Sequence, residues 1–173
     1  MEFMKNIVLI GMPGTGKSTV GNALAERLNY TFVDLDDNIK EAAGKSLPDI
    51  LRQDGLEAFF KIEEEVGTSV ELENSIIATG GSMVLYPAAM EHLKENGVIV
   101  WLETPLSEIS RRMPADLTDR GIAAPPGVPL RQIYEQRQPL YSKYADIIVV
   151  SREGAGDTAH EVLQRMRTVG IEL

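Results

Sequence analysis

With 173 residues, 43% of them hydrophobic and 25% charged, the chain is long enough for one domain with a true core and too short for two comfortable ones. Its 17 Lys and Arg against 26 Asp and Glu leave a net charge of −9, which argues against nucleic acid or an anionic membrane as principal partner, because both reward basic surfaces. The lack of cysteine excludes disulfides and thiolate metal sites.

The opening MEFMKNIVLIGMPG carries one Lys and a short apolar stretch, too brief for a signal peptide, and Met4 offers an alternative start to Met1. No apolar run approaches the ~20 residues of a membrane helix, so a cytoplasmic protein is expected. Asn6 to Ile10 (NIVLI) reads as a first buried strand, followed by a glycine loop and an amphipathic helix over about 17–28. Thr31 to Asp34 (TFVD) is a second strand. Ser46 to Gln53 is predicted helical, with Ser46 as cap, Asp49 at the capping-box position and Gly55 as stop. A longer helix follows over 56–72. Ser75 to Thr79 (SIIAT) is a third strand ending in Gly80-Gly81, Pro87 opens a helix to Asn96, and 97–102 (GVIVWL) is a fourth strand. Thr104-Pro105 starts the next helix, 146–150 (DIIVV) is a fifth strand, and a helix over 157–169 closes the chain. Ile- and Val-rich strands alternating with helices predict a parallel sheet covered on both faces, within a single domain spanning 1–173. Residues 113–128 (MPADLTDRGIAAPPGV) show no periodicity and read as a mobile loop that could serve as a lid.

The strongest chemical signal is GMPGTGKST, residues 11–19, which fits G-x-x-x-x-G-K-[ST] between a strand and a helix. Gly11, Gly14 and Gly16 let backbone N–H groups, including that of Thr15, converge on a phosphate, and the helix N-terminus adds partial positive charge. Lys17 suits the β- and γ-phosphates, the Ser18 hydroxyl suits Mg²⁺, and Thr19 completes the motif. A nucleoside triphosphate site follows. The second signal is DLDD, Asp34 to Asp37, at the carboxyl end of the second strand, where open parallel sheets bind ligands. Asp34 and Asp36 can serve different partners there, one toward a metal and one toward a hydroxyl to be phosphorylated. The alternative is that Asp36 or Asp37 only caps the following helix.

The succession GMPGTGKST, FVDLD, KIEE, a Gly-Gly pair after a strand and RQPLY resembles the shikimate kinase family over roughly residues 5–150. The resemblance implies a three-layer α/β P-loop kinase fold with a five-stranded parallel sheet, a lid over about 113–128, and ATP- and Mg²⁺-dependent phosphorylation of a small hydroxylated acid. It further implies that Asp34 holds Mg²⁺ through water and that Asp36 orients and deprotonates the acceptor hydroxyl. Gly80 and Gly81, with Ser82 after them, would line the acceptor pocket, Arg112 would stack on adenine, and Arg120 would close over the phosphates. Arg137 would grip the acceptor's carboxylate, with Glu63 supporting that grip.

Three positions depart from the family's pattern. Phe60 stands where a second carboxylate-binding arginine is expected, Ser82 replaces a third glycine, and Gly121-Ile122 follow Arg120 in place of proline and leucine. An arginine–carboxylate bond contributes ~1.5–3 kcal/mol, and Lys61 sits about 100° round the helix from the vacated position. Adjacent helix positions cannot bury both Phe59 and Phe60 equally, and the resemblance implies that Phe59 packs into the core while Phe60 faces the acceptor. Shikimate and some other small alcohol therefore both stand as acceptors, and a non-catalytic nucleotide-binding protein is the alternative from another class. Trp101 reads as core, and His92 and His160 as isolated helix residues. A monomer acting on a small molecule is expected.

Overall fold

The computed structural model describes residues 6–151 and 154–172, so Met1 to Met4 lie outside the described residues. Five runs rich in β-branched side chains form the strands, β1 (Asn6–Ile10), β2 (Thr31–Asp34), β3 (Ser75–Ala78), β4 (Gly97–Glu103) and β5 (Ile147–Val150). All are parallel, in the order β2-β3-β1-β4-β5, and Val8 at the centre of β1 lies opposite both Ile77 and Ile99. Successive strand residues face opposite sides, so β1 feeds two cores. Ile7 and Leu9 pack with Val20 and Leu24 of α1 (Lys17–Leu28) and with Ala159 and Val162 of α8 (Ala155–Thr168). Val8 and Ile10 pack with Trp101 and with residues of α5 (Pro87–Glu95) and α7 (Leu130–Tyr144).

Beyond the carboxyl end of β2 a third, smaller core holds the acceptor side together. It joins Ile39 of α2 (Leu35–Ala43), Leu47 of α3 (Leu47–Asp49), Ile50 of the π-helical turn Ile50–Asp54, Phe59 of α4 (Leu56–Ser69) and Ala123. One further helix, α6 (Leu106–Arg112), runs from β4 toward the segment 113–128. That segment is more structured than its composition predicts. It contains a 3₁₀ turn, Leu117–Arg120, and buries Ile122 and Ala123, while Asp116 and Asp119 pair with Arg52 of the π turn.

Several sequence expectations need correction. The helix expected over Ser46 to Gln53 is α3 continued by the π turn, although Ser46 does accept the backbone N–H of Asp49 as a cap. Helix α4 stops at Ser69 rather than Leu72. Helix α7 was unread because its sequence is polar and contains Pro139, yet Ile133, Arg137, Tyr141 and Tyr144 form a buried stripe at helical spacing. Strand β5 is an edge strand with only one face covered, since Ile148 and Val150 are exposed.

Helices α4 and α5 approach closely at Gly67, where a side-chain carbon would lie 2.6 Å from Met83 Sδ and 2.8 Å from Ala89 Cβ. Overpacking at such a point costs about 1–3 kcal/mol. Gly67→Val is therefore expected to lower the urea midpoint by that equivalent at unchanged m-value; an unshifted midpoint would contradict this packing.

Candidate active site

The loop after β1 is held by its own side chains. Thr15 Oγ1 donates to the Met12 carbonyl at 2.9 Å, and Lys17 Nζ donates to the carbonyls of Gly11 and Met12, each at 2.8 Å. Ser151, just past β5, donates from Oγ to the Thr15 carbonyl at 2.6 Å, and Arg112 Nη1 donates to the Gly14 carbonyl at 2.7 Å. Gly14 and Gly16 both take positive φ, +81° and +86°, a backbone that side chains rarely adopt. Helix α1 starts at Gly16 with no side-chain cap, so its first N–H groups face the loop's concavity.

Asp34, the last residue of β2, connects this loop to the acceptor side. Its Oδ2 accepts from Ser18 Oγ at 3.0 Å and its Oδ1 accepts from the Asp36 backbone N–H at 2.9 Å. Asp34 is thus the N-cap of α2, the role considered for Asp36 or Asp37, and the Asp36 carboxylate is left to face the cavity.

A single cavity of about 300 Å³ brings together Gly14, Gly16, Lys17, Ser18, Thr19 and Asp34 on the loop side. Opposite them stand Asp36, Gly80, Gly81, Ser82, Arg120 and Arg137. Gly11, Thr15 and Arg112 do not line it but hold the loop, as described above. The sequence reading missed Lys40, one turn after Asp36 on α2, and Pro13, Ile122 and Ala123, all of which also line the cavity. The i, i+4 spacing from Asp36 to Lys40 could have flagged the lysine once α2 was recognised. Trp101 is core, stacked at a tilt on Tyr141 with centroids 5.7 Å apart.

Helix α4 contributes differently from expectation. Its buried stripe is Phe59, Glu63 and Gly67, and Phe59 and Glu63 line the cavity. Phe60 lies outside that lining. Its ring sits edge-on to Tyr86 at 6.0 Å and to Phe59 at 6.4 Å, in a separate apolar cleft of about 250 Å³ with Leu85, Pro125 and Val128. The reason is rotational: adjacent helix positions point about 100° apart, and packing has settled the phase in favour of Phe59. The two spaces share Ala123 and Arg137 as a wall.

Arg137 is 5% exposed, donates from Nη2 to the Ala123 carbonyl at 2.7 Å, and is followed one turn later by Tyr141, whose hydroxyl donates to the Gly81 carbonyl at 2.7 Å. Helix α7 thereby fastens both the segment 113–128 and the glycine turn. Burial shapes the ionisable groups. It lowers the Lys17 ammonium to about 8 against the opposing pull of Asp36 and Asp34. Burial, and next the Asp34 charge, push Asp36 above the ordinary carboxylate range. Burial pushes Glu63 up to about 7, against hydrogen bonding from Ser82.

The Ser18 hydroxyl beside the Asp34 carboxylate is a hard oxygen pair suited to Mg²⁺. Among the described residues there is no group of three or more His, Cys, Asp or Glu that could hold a metal ion.

Because the folded-state pKa of Glu63 lies at about 7 against 4.5 for a free glutamate, its contribution to stability is present below pH 4.5 and is lost as pH rises through 7. At 1.36 kcal/mol per unit the full loss is about 3 kcal/mol, of which roughly 2–3 kcal/mol falls between pH 5 and pH 8. Glu63→Gln is expected to gain that much relative to the wild type between pH 5 and pH 8 in urea unfolding, and a constant difference across that range would refute it.

The sequence model of the family described as shikimate kinase matches residues 13–167. A shikimate kinase from Synechococcus sp. (strain RCC307) is 41% identical over 165 residues, covering 93% of this chain and 84% of that protein. Another, from Persephonella marina, is 35% identical over 167 residues and is covered in full, with 95% of this chain matched. The solved structure of the shikimate kinase from Acinetobacter baumannii in complex with shikimate is similar at a TM-score of 0.84 and 31% identity, covering 98% of this chain and 96% of that one. The chain belongs to the shikimate kinase family.

Proposed function

We propose that the chain transfers the γ-phosphoryl group of ATP to a hydroxyl of shikimate, giving shikimate 3-phosphate and ADP. The observation that carries this reading is the single cavity in which Lys17 and the Ser18–Asp34 pair face Asp36, the glycine turn and Arg137. Phosphoryl transfer asks a protein mainly for positioning and charge stabilisation. The loop N–H groups and Lys17 bind the phosphate oxygens, and Arg112 holds the loop at Gly14 beside the space for the nucleoside. Ser18 and Asp34 supply oxygens for Mg²⁺, which when bound neutralises charge on the β- and γ-phosphates. Asp36, with its raised affinity for a proton, takes the hydroxyl proton as the acceptor oxygen bonds to the γ-phosphorus and the bond to the ADP oxygen breaks. Arg137 holds the acceptor's carboxylate, and Arg120 meets the charge that develops on the transferring group. The segment 113–128 closes over the site and excludes water.

A second acceptor reading is favoured by Phe60, which leaves Arg137 without an arginine neighbour from α4 and puts an apolar cleft beside it. Under that reading the acceptor is another small alcohol. The chain works as a monomer in the cytoplasm and uses neither nucleic acid nor membrane. Its net charge of −9 supports the lack of nucleic-acid and anionic-membrane partners, and no helix of the described residues is long and apolar enough to cross a membrane.

Lys17→Ala and Asp36→Asn are each expected to lower ATP-dependent transfer by at least a thousandfold, measured as acceptor-dependent ADP release, with unchanged circular dichroism; appreciable activity in either would sink the assignment. Wild-type protein is expected to turn over shikimate with kcat/KM of at least ~10⁴ M⁻¹s⁻¹, and Phe60→Arg to alter that by less than about tenfold. Turnover of a different alcohol with none of shikimate, impaired by Phe60→Arg, would establish the second acceptor instead.

A further inference from the structure

The cations around the catalytic cavity are not equally committed. Lys17 Nζ donates to the carbonyls of Gly11 and Met12. Arg137 spends Nη2 on the Ala123 carbonyl, and its Nη1 lies 3.2 Å from where a side-chain carbon on Gly81 would stand. Lys40 lines the same cavity from α2 with a looser attachment. Among the described residues its ion pair is with Asp37, at 3.9 Å, and the two side chains are 49% and 75% exposed. A pair so long and so exposed contributes little, and a ligand can replace it readily.

One turn of α2 separates Lys40 from Asp36, so the two project from the same face of the helix. The charge of Lys40 reaches Asp36, where it works against the rise in proton affinity that burial and Asp34 produce. Lys40 thus belongs to the acceptor side of the cavity. An acceptor that carries a carboxylate comes up beside the Asp36 carboxylate there, and like charges repel, so more than one cation is called for. Helix α4 supplies none. Phe60 lies in the neighbouring cleft, and Lys61, the cation next to it, is exposed and lines neither space. The guanidinium of Arg137, partly taken by Ala123, leaves acceptor sites on a carboxylate for a second donor.

We propose that Lys40 is an acceptor-binding residue whose ammonium leaves Asp37 for the carboxylate of the acceptor and shares that group with Arg137, so that α2 supplies the second cation that α4, with Phe60, does not. The site then selects a hydroxylated acid over a neutral alcohol. A lysine suits this task because its point charge sits on a flexible stem and needs no fixed fork geometry. The assignment rests on the reading of the cavity as a kinase site with a hydroxylated acid as acceptor.

The test compares wild type, Lys40→Ala and Lys40→Arg on shikimate and on its carboxamide, which keeps the hydroxyls and loses the charge. Dissociation constants for both compounds are measured by titration calorimetry with Mg²⁺ and ADP present, and KM for ATP by acceptor-dependent ADP release. Lys40→Ala is expected to weaken shikimate about tenfold and the carboxamide by no more than about twofold, the non-additivity that marks a direct contact with the charged group. Its KM for ATP should stay within about twofold, and Lys40→Arg should hold shikimate within about threefold of wild type. Equal weakening of both compounds, no weakening of either, or a loss confined to KM for ATP would overturn the proposal. If wild type binds no shikimate, the proposed acceptor fails, and Lys40 is then judged by saturation-transfer NMR on a panel of polyhydroxylated acids and their carboxamides. A preference for an acid over its amide that Lys40→Ala abolishes supports the proposal, while a preference that survives, or no acid bound, overturns it.

Discussion

The two oxygens of Asp34 go to different elements, one to the Ser18 hydroxyl at the start of α1 and one to the Asp36 N–H at the start of α2. This side chain locks the phosphate loop to the end of β2 and caps the helix that carries Asp36. Without the cap, Asp36 would be drawn to the helix end itself, as a short carboxylate in a first turn tends to be. With it, the Asp36 carboxylate is released into the cavity, two residues along the chain from the Ser18–Asp34 pair. The distance between the phosphate side and the acceptor side of the site is thus set by one residue and by the parallel register that places β2 against β3 and β3 against β1.

In a chain of net charge −9, Lys17, Lys40, Arg120 and Arg137 are gathered around one cavity, which suits it to the polyanion of the proposed function. Their field is balanced locally by Asp34, Asp36 and Glu63 rather than by the surface. In a low-dielectric cavity such groups act over short distances and shift one another's proton affinity. Lys17 is lowered while Asp36 and Glu63 are raised, because burial penalises the charged form of each. Under the proposed function, a phosphate oxygen reaching Lys17 would restore the partner that burial has removed, so the same desolvation that weakens the ammonium would make it a stronger ligand for the nucleotide.

The acceptor side is governed by two helices. Helix α4 presents Phe59 and Glu63 and turns Phe60 aside, and α7 presents Arg137 and Tyr141 one turn apart. Both stripes follow i, i+4 spacing, which keeps functional and packing residues on one face. Arg137 and Ala123 form the partition between the polar cavity and the apolar cleft of Phe60. A substitution at position 60 therefore changes the far side of that partition rather than the floor of the catalytic cavity.

The phosphate loop, the strand order's raw material and the Asp34–Asp36 pair were legible in the sequence because each depends on local chemistry: glycines at fixed spacing, β-branched runs, carboxylates at a strand end. Edge strand β5 was misread as doubly covered because its Ile- and Val-rich run is locally indistinguishable from an interior strand. Helix α7 was hidden by its polar sequence and Pro139, and only the packing of Ile133, Arg137 and Tyr141 against the sheet makes it a helix of consequence. The facing of Phe59 and Phe60 could not be settled from adjacent positions on an amphipathic stretch, since a rotation of one residue exchanges them. Tertiary packing decided it, because Gly67 must meet Met83 and Ala89, and that contact fixes the rotation of α4 along its whole length.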